Sequence, residues 1–176
     1  MIAFVVRGLP VPQGSPRAFV HDGRATVVSG ATGAGSHGRT LADWRRAIAT
    51  EARAAIGDRP LLAGPVRVDL IFVLARPKTH FRAGGTLRPS APVWVTTRPD
   101  GDKLERAAWD ALSGVIVSDD AVIAAWSGRK RYADLDGWTG VHVYVTELKG
   151  FQAAIDPGRA RTHGAGDPAG APGDAR

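Results

Sequence analysis

Hydrophobic and polar positions alternate or recur along this chain in a way that lays out most of its elements. Residues 2–7 are apolar and β-rich and predict a first strand. A Pro/Gly loop follows. The stretch 17–28 then predicts a hairpin, because Asp22-Gly23 suits a tight I′ turn. Leu41, Trp44, Ile48, Ala52 and Ala55 return every three or four residues, which predicts a helix over 41–56. Thr40-x-x-Asp43 supplies its capping-box start, with Arg45, Arg46 and Arg53 off the apolar face. Val66, Val68, Leu70, Phe72 and Leu74 alternate, and the second half of that run is apolar on both faces, so 65–74 reads as a central strand. A second helical stripe, Leu104, Ala108, Ala111 and Leu112, predicts a helix over 102–113 with Asp102 as N-cap, Glu105 at the capping-box position and Gly114 as the stop. Residues 121–127 and 138–148 read as short and closing strands around a basic turn. In the latter, Val141, Val143 and Val145 oppose His142, Tyr144 and Thr146.

The order along the chain is β-β-β-α-β-α-β-β. It predicts an α+β fold, a mixed sheet with two main helices packed on it. Residues 1–149 form the domain. Residues 150–176 are Gly, Pro and Ala with scattered charges, too poor in apolar surface to order themselves, and are expected as a tail.

Charge changes the picture. The net charge is +6, and residues 98–120 run against it with six acidic and three basic residues. The remainder of residues 1–150 therefore carries 17 basic against 8 acidic residues. Such a surface favours a polyanion such as nucleic acid. There are no cysteines, which excludes disulfides, zinc fingers and thiol chemistry. No apolar run reaches the ~18 residues that would suggest a membrane span. The N-terminus lacks the basic region of a signal peptide, so a cytoplasmic protein is expected.

Two stretches carry candidate chemistry. The first is the long basic loop 75–97, with Arg76, Lys78, His80, Arg82 and Arg88, which leads straight into the acidic block. The second is the block itself, with Asp100-Gly101-Asp102 before one helix and Asp119-Asp120 after it. Each aspartate alone reads as cap or turn chemistry. Together they can converge, and carboxylates brought close repel one another unless a cation lies between them. Oxygen-only ligands suit Mg²⁺ or Mn²⁺ rather than zinc. The glycines at 33, 35 and 38 match a GxGxxG spacing, but the helix opens too late for a dinucleotide fingerprint, and they read as loop.

The block from Arg98 to Tyr132 resembles the RusA family of Holliday junction resolvases, in particular its phage and prophage members. The matching positions are Asp100-Gly101-Asp102, Asp110-Ala111-Leu112, Asp119-Asp120-Ala121-Val122-Ile123 and Lys130-Arg131-Tyr132. The stretches from Gly8 to Phe19 and from Leu41 to Ile48 are also similar, so the likeness covers about residues 3–148. It implies a homodimeric, Mg²⁺-dependent endonuclease that resolves four-way DNA junctions by paired nicks. It implies Asp100, Asp102 and Asp120 as catalytic metal ligands. The family's functional lysine falls at Arg106, with Lys103 beside Asp102 instead, so an arginine that cannot exchange protons stands in its place. Arg76, Lys78, Arg82, Arg88, Arg98, Arg129, Lys130 and Arg131 are expected to meet DNA. The competing readings are a non-catalytic nucleic-acid-binding protein of the same fold and a magnesium phosphohydrolase for small phosphates, which would not need so broad a basic surface.

Overall fold

The computed structural model describes residues 1–14, 17–21, 24–28 and 40–149. Six strands and two helices follow the predicted order: β1 (Ile2–Arg7), β2 (Arg17–His21), β3 (Arg24–Val28), α1 (Leu41–Ile56), β4 (Val66–Leu74), α2 (Gly101–Leu112), β5 (Ile123–Tyr132) and β6 (Gly140–Glu147). The main sheet has the order β1-β6-β4-β5, and β2 and β3 pair as a separate hairpin. His21 pairs with Arg24, as a two-residue turn requires. The turn residues themselves, the 33–38 glycine stretch and the 150–176 tail lie outside the described residues.

The mixed character of the sheet comes from one parallel pair. β1 and β4 both run antiparallel to β6, while β5 runs parallel to β4. Parallel neighbours need a long crossover, and here the loop 75–99 and α2 supply it. β4 sits between β5 and β6, so its apolar second half is buried on both sides: Phe72 and Val73 are at most 3% exposed.

Alternation along the strands divides the sheet into two faces. Ile2, Val6, Val66, Val68, Leu70, Phe72, Val141, Val143 and Val145 turn toward the helices and form the core with Trp44, Ile48, Ala52 and Ile56 of α1 and Leu104, Ala107, Ala108, Ala111 and Leu112 of α2. α1 begins with the expected capping box. The Thr40 hydroxyl oxygen accepts from the Asp43 N–H at 3.1 Å, and the Asp43 carboxylate accepts from the Thr40 N–H at 3.2 Å. That contact with Thr40 holds the Asp43 carboxyl below its usual range. Arg45, off the apolar face of α1, reaches across to α2 and pairs with Asp110, while also donating to Gln13 Oε1 at 3.1 Å.

Two predicted elements move. β5 runs Ile123–Tyr132 and not 121–127: Ala121 and Val122 belong to a short 3-10 turn, and the stretch 128–132 read as a basic turn is strand, its register carried by pairing with β4 as far as Leu74↔Tyr132. α2 is capped by Asp100 and not Asp102: Asp100 is extended (φ −67°, ψ 140°), and the Leu104 N–H already bonds to its carbonyl at 3.3 Å. Asp102 therefore lies inside the first turn, and Glu105 has no capping role. At the other end Gly114 takes a positive φ of 71° just past the helix, the conformation glycine adopts without strain.

Candidate active site

The site is built around the entrance of α2. Asp100 at the cap makes no side-chain cap hydrogen bond, and Asp102 comes within the same turn. Both are exposed. The Asp100 carboxylate lies 3.2 Å from Lys103 Nζ. Glu105, one turn on, is half-buried. Burial raises its pKa first, and the neighbouring Asp102 charge adds to the rise. Its carboxylate rests on Gly128 of β5: a Cβ built there would stand 1.6 Å from Oε1. Next along the same side of β5, Trp126 meets Trp109 of α2 edge to face, with centroids 5.4 Å apart. α2 thus lies along β5, its first half toward Gly128 and Lys130 and its second toward Trp126.

The third expected carboxylate comes from the far end of the α2–β5 connection. Asp119 caps a 3-10 turn, Asp120–Val122, its Oδ1 accepting from the Ala121 N–H at 2.9 Å. Asp120 opens that turn with its side chain exposed, and the turn packs against α2. The two adjacent aspartates are thereby distinguished: one is spent on backbone, the other is not.

In kind, Asp100, Asp102 and Asp120 fit a hard divalent cation, being oxygen donors without sulfur or imidazole. Among the described residues, however, no three Asp, Glu, His or Cys side chains are gathered as a metal cluster. The structure brings Asp100 and Asp102 onto one turn and packs the turn that begins at Asp120 against the same helix. The Asp100 side chain is turned onto Lys103. Arg106 lies exposed one turn beyond Asp102.

The cations expected to meet DNA separate into two groups. Arg76 donates to the carbonyls of Ala133 at 2.6 Å and Pro92 at 2.8 Å and lies over the Tyr132 ring. Arg88 donates to the carbonyls of Thr79 and Phe81, both at 3.1 Å. Arg131 pairs with Asp134. Lys130 donates to the carbonyls of Thr97 at 2.9 Å and Pro99 at 2.8 Å. Arg76, Arg88 and Lys130 thereby hold the loop 75–99 in shape, while Arg131 is tied to the turn after β5. Lys78, Arg82 and Arg98 are exposed, with no side-chain partner among the described residues. Strand alternation separates the last three basic residues as well. Lys130 is opposite Phe72 and shares its helix-covered face, while Arg129 and Arg131 are opposite Ile71 and Val73 on the other face. Arg129 there helps lower the pKa of Asp69, whose main partner is Arg67.

Sequence reasoning missed the placement of Glu105 against β5 and the inward turn of Lys130. Glu105 had a visible signal, a carboxylate one turn after Asp102. Lys130 had none, because its partners are backbone carbonyls thirty residues away.

A family model described as Endodeoxyribonuclease RusA matches residues 8–145, a span that holds α1, the loop 75–99, α2 and both aspartate pairs. The chain is also 29% identical over 143 residues to a Bacillus subtilis (strain 168) protein named "Uncharacterized protein YqaN", covering 76% of this chain and 89% of that one.

Proposed function

Because the chain belongs to the RusA endodeoxyribonuclease family, we propose that it is a Mg²⁺-dependent nuclease that recognises four-way DNA junctions and resolves them by paired nicks as a homodimer. The observation that carries this reading is the entrance of α2, where Asp100 and Asp102 share one exposed turn and neither caps the helix through its side chain. Carboxylates with no structural duty beside cationic side chains suit a site for a cation and a phosphate together.

Asp100, Asp102 and Asp120 would hold the Mg²⁺, with Mn²⁺ as a substitute. The chemistry such an ion supplies is Lewis-acid stabilisation at the phosphate and a lowered pKa for the attacking water. The protein's own groups do the rest. The N–H groups of the first turn of α2 point out of the helix end, where its dipole favours a phosphate. Lys103 balances Asp100 while the site is empty of substrate, and can turn to a phosphate oxygen. Arg106 would offset charge as the phosphate becomes pentacovalent but transfers no proton, since a guanidinium keeps its protons at any working pH. Arg98, just before the cap, and Lys78 and Arg82 of the preceding loop would guide the backbone of the junction arms.

The test is incubation of a synthetic mobile four-way junction with the protein, with and without Mg²⁺, beside a linear duplex of the same sequence. Symmetric nicking of the junction alone, dependent on the metal, is expected. Binding without cutting under every metal condition would instead establish the non-catalytic alternative, to which the arginine at position 106 lends some weight.

A further inference from the structure

We propose that Lys130 is a positioning residue: its ammonium group grips the backbone just before Asp100 and sets where the entrance of α2 stands, and it does not contact DNA. What is positioned rests on the nuclease reading; the positioning itself does not.

The geometry points inward. Lys130 stands opposite Phe72, a residue 1% exposed, so its stem leaves β5 on the helix-covered face. From there Nζ donates to Thr97 O at 2.9 Å and Pro99 O at 2.8 Å. An ammonium has three donors, and two are spent on one five-residue stretch. The main chain of the same residue holds the start of that stretch, since Lys130 O accepts from the Val95 N–H at 3.1 Å. Val95 in turn packs its side chain with Leu74 and Tyr132. Residues 95–99 therefore wrap around Lys130, fixed at one end by its carbonyl and at the other by its ammonium.

This segment has few other means of order. Pro99 has no N–H to donate, and Thr97 and Arg98 are exposed. Asp100 comes next and opens α2 without a side-chain cap. A lysine swung out to a phosphate in solvent would leave these carbonyls, and the segment before the aspartate would lose its side-chain anchor. Arg129, on the opposite face, meets no such demand.

Two variants decide the matter, Lys130→Met, which keeps the stem and loses the donors, and Lys130→Gln, which keeps one donor group; Arg129→Met, on the other face of β5, is the control for amide exchange alone and should leave it unchanged. Amide hydrogen exchange over residues 97–105 is measured on the protein alone, without DNA or metal. Junction affinity in a chelator and the single-turnover cutting rate at saturating protein are measured beside it. Lys130→Met is expected to speed exchange in this segment and to cut roughly 10- to 100-fold more slowly, as a misplacement of about 1 Å can cause. Its junction affinity should stay within about twofold and its salt slope unchanged, because no phosphate contact is lost. Lys130→Gln should fall between Met and wild type, and it also gives a reading if the Met variant does not fold. Unchanged exchange in both Lys130 variants would overturn the proposal. So would a weaker junction affinity with the salt slope reduced by about one unit and the saturated rate intact, the signature of a phosphate contact. If the wild type fails to cut any junction, the nuclease reading falls and the exchange data alone still decide the role of Lys130.

Discussion

Asp119 and Asp120 are adjacent and chemically identical, yet the backbone assigns them different tasks. Asp119 is tied to the Ala121 N–H, while Asp120 is exposed and makes no such bond. Asp119→Ala should therefore lower stability by ~1 kcal/mol, the usual cost of losing a cap, and leave cutting near normal. Asp119→Asn, a comparable cap, should preserve both. Asp120→Asn should keep its melting temperature and its junction affinity and lose cutting. Cutting by the Asp120 variant together with a dead Asp119 variant would show the site is assigned one residue off. Glu105 yields a pH prediction. Its pKa is raised in the folded protein by burial and by Asp102, so it favours folding at acid pH and this contribution fades as pH rises through the raised value. With metal chelated, Glu105→Gln should melt above the wild type at pH 7, with the difference vanishing as pH falls below the ordinary glutamate range. A wild type more stable than the variant at pH 7 would contradict the assignment.

At the scale of elements, local signals were legible and long-range pairing was not. The Thr40–Asp43 box and the apolar stripe of α1 lie within a few residues of one another, and the helix starts and stops where they predict. The N-cap of α2 lies two residues earlier than expected, at Asp100 and not Asp102, because Asp-x-Asp offers two caps. The choice depends on how the chain enters, and Pro99 together with Lys130 settles that from outside the helix. The end of β5 reads locally as a polar, basic turn, and only its partner β4 makes it strand. The Arg45–Asp110 bridge is the same kind of feature. The sequence shows Asp110 before Ala111-Leu112 but not the cation on another helix that meets it. The pair joins α1 to the helix that carries the aspartates, and both side chains are about a third exposed. Arg45→Met and Asp110→Asn should each cost roughly 1–2 kcal/mol, with the double variant costing clearly less than the sum. Urea unfolding of the four proteins in the cycle checks this, and simple additivity would show that the bridge contributes nothing.

Over the whole molecule the net charge is +6, while Asp100 and Asp102 stand exposed together at one helix entrance. Fold class, the order of elements along the chain and the family were legible in the sequence. The division of the cations was not, because an arginine bonded to a carbonyl and one in solvent look alike in a sequence. Arg82→Gln should weaken junction binding and reduce the slope of log K against log salt by about one unit, with the melting temperature unchanged. Arg88→Gln should instead lower the melting temperature, since its carbonyl partners Thr79 and Phe81 lose their donor. Truncation after Lys149 should leave folding and cutting intact, because residues 150–176 are too poor in apolar side chains to add to a core. The measurement that bears most directly on the central claim is the cutting of a Mg²⁺-supplemented four-way junction by Asp102→Asn at protein concentrations that saturate binding. Asparagine keeps the shape of the side chain and removes its charge, at a position the helix does not need as a cap. The variant should bind the junction at least as tightly as wild type and release no product above a protein-free background; cutting at the wild-type rate would mean that the entrance of α2 is not where this protein cuts DNA.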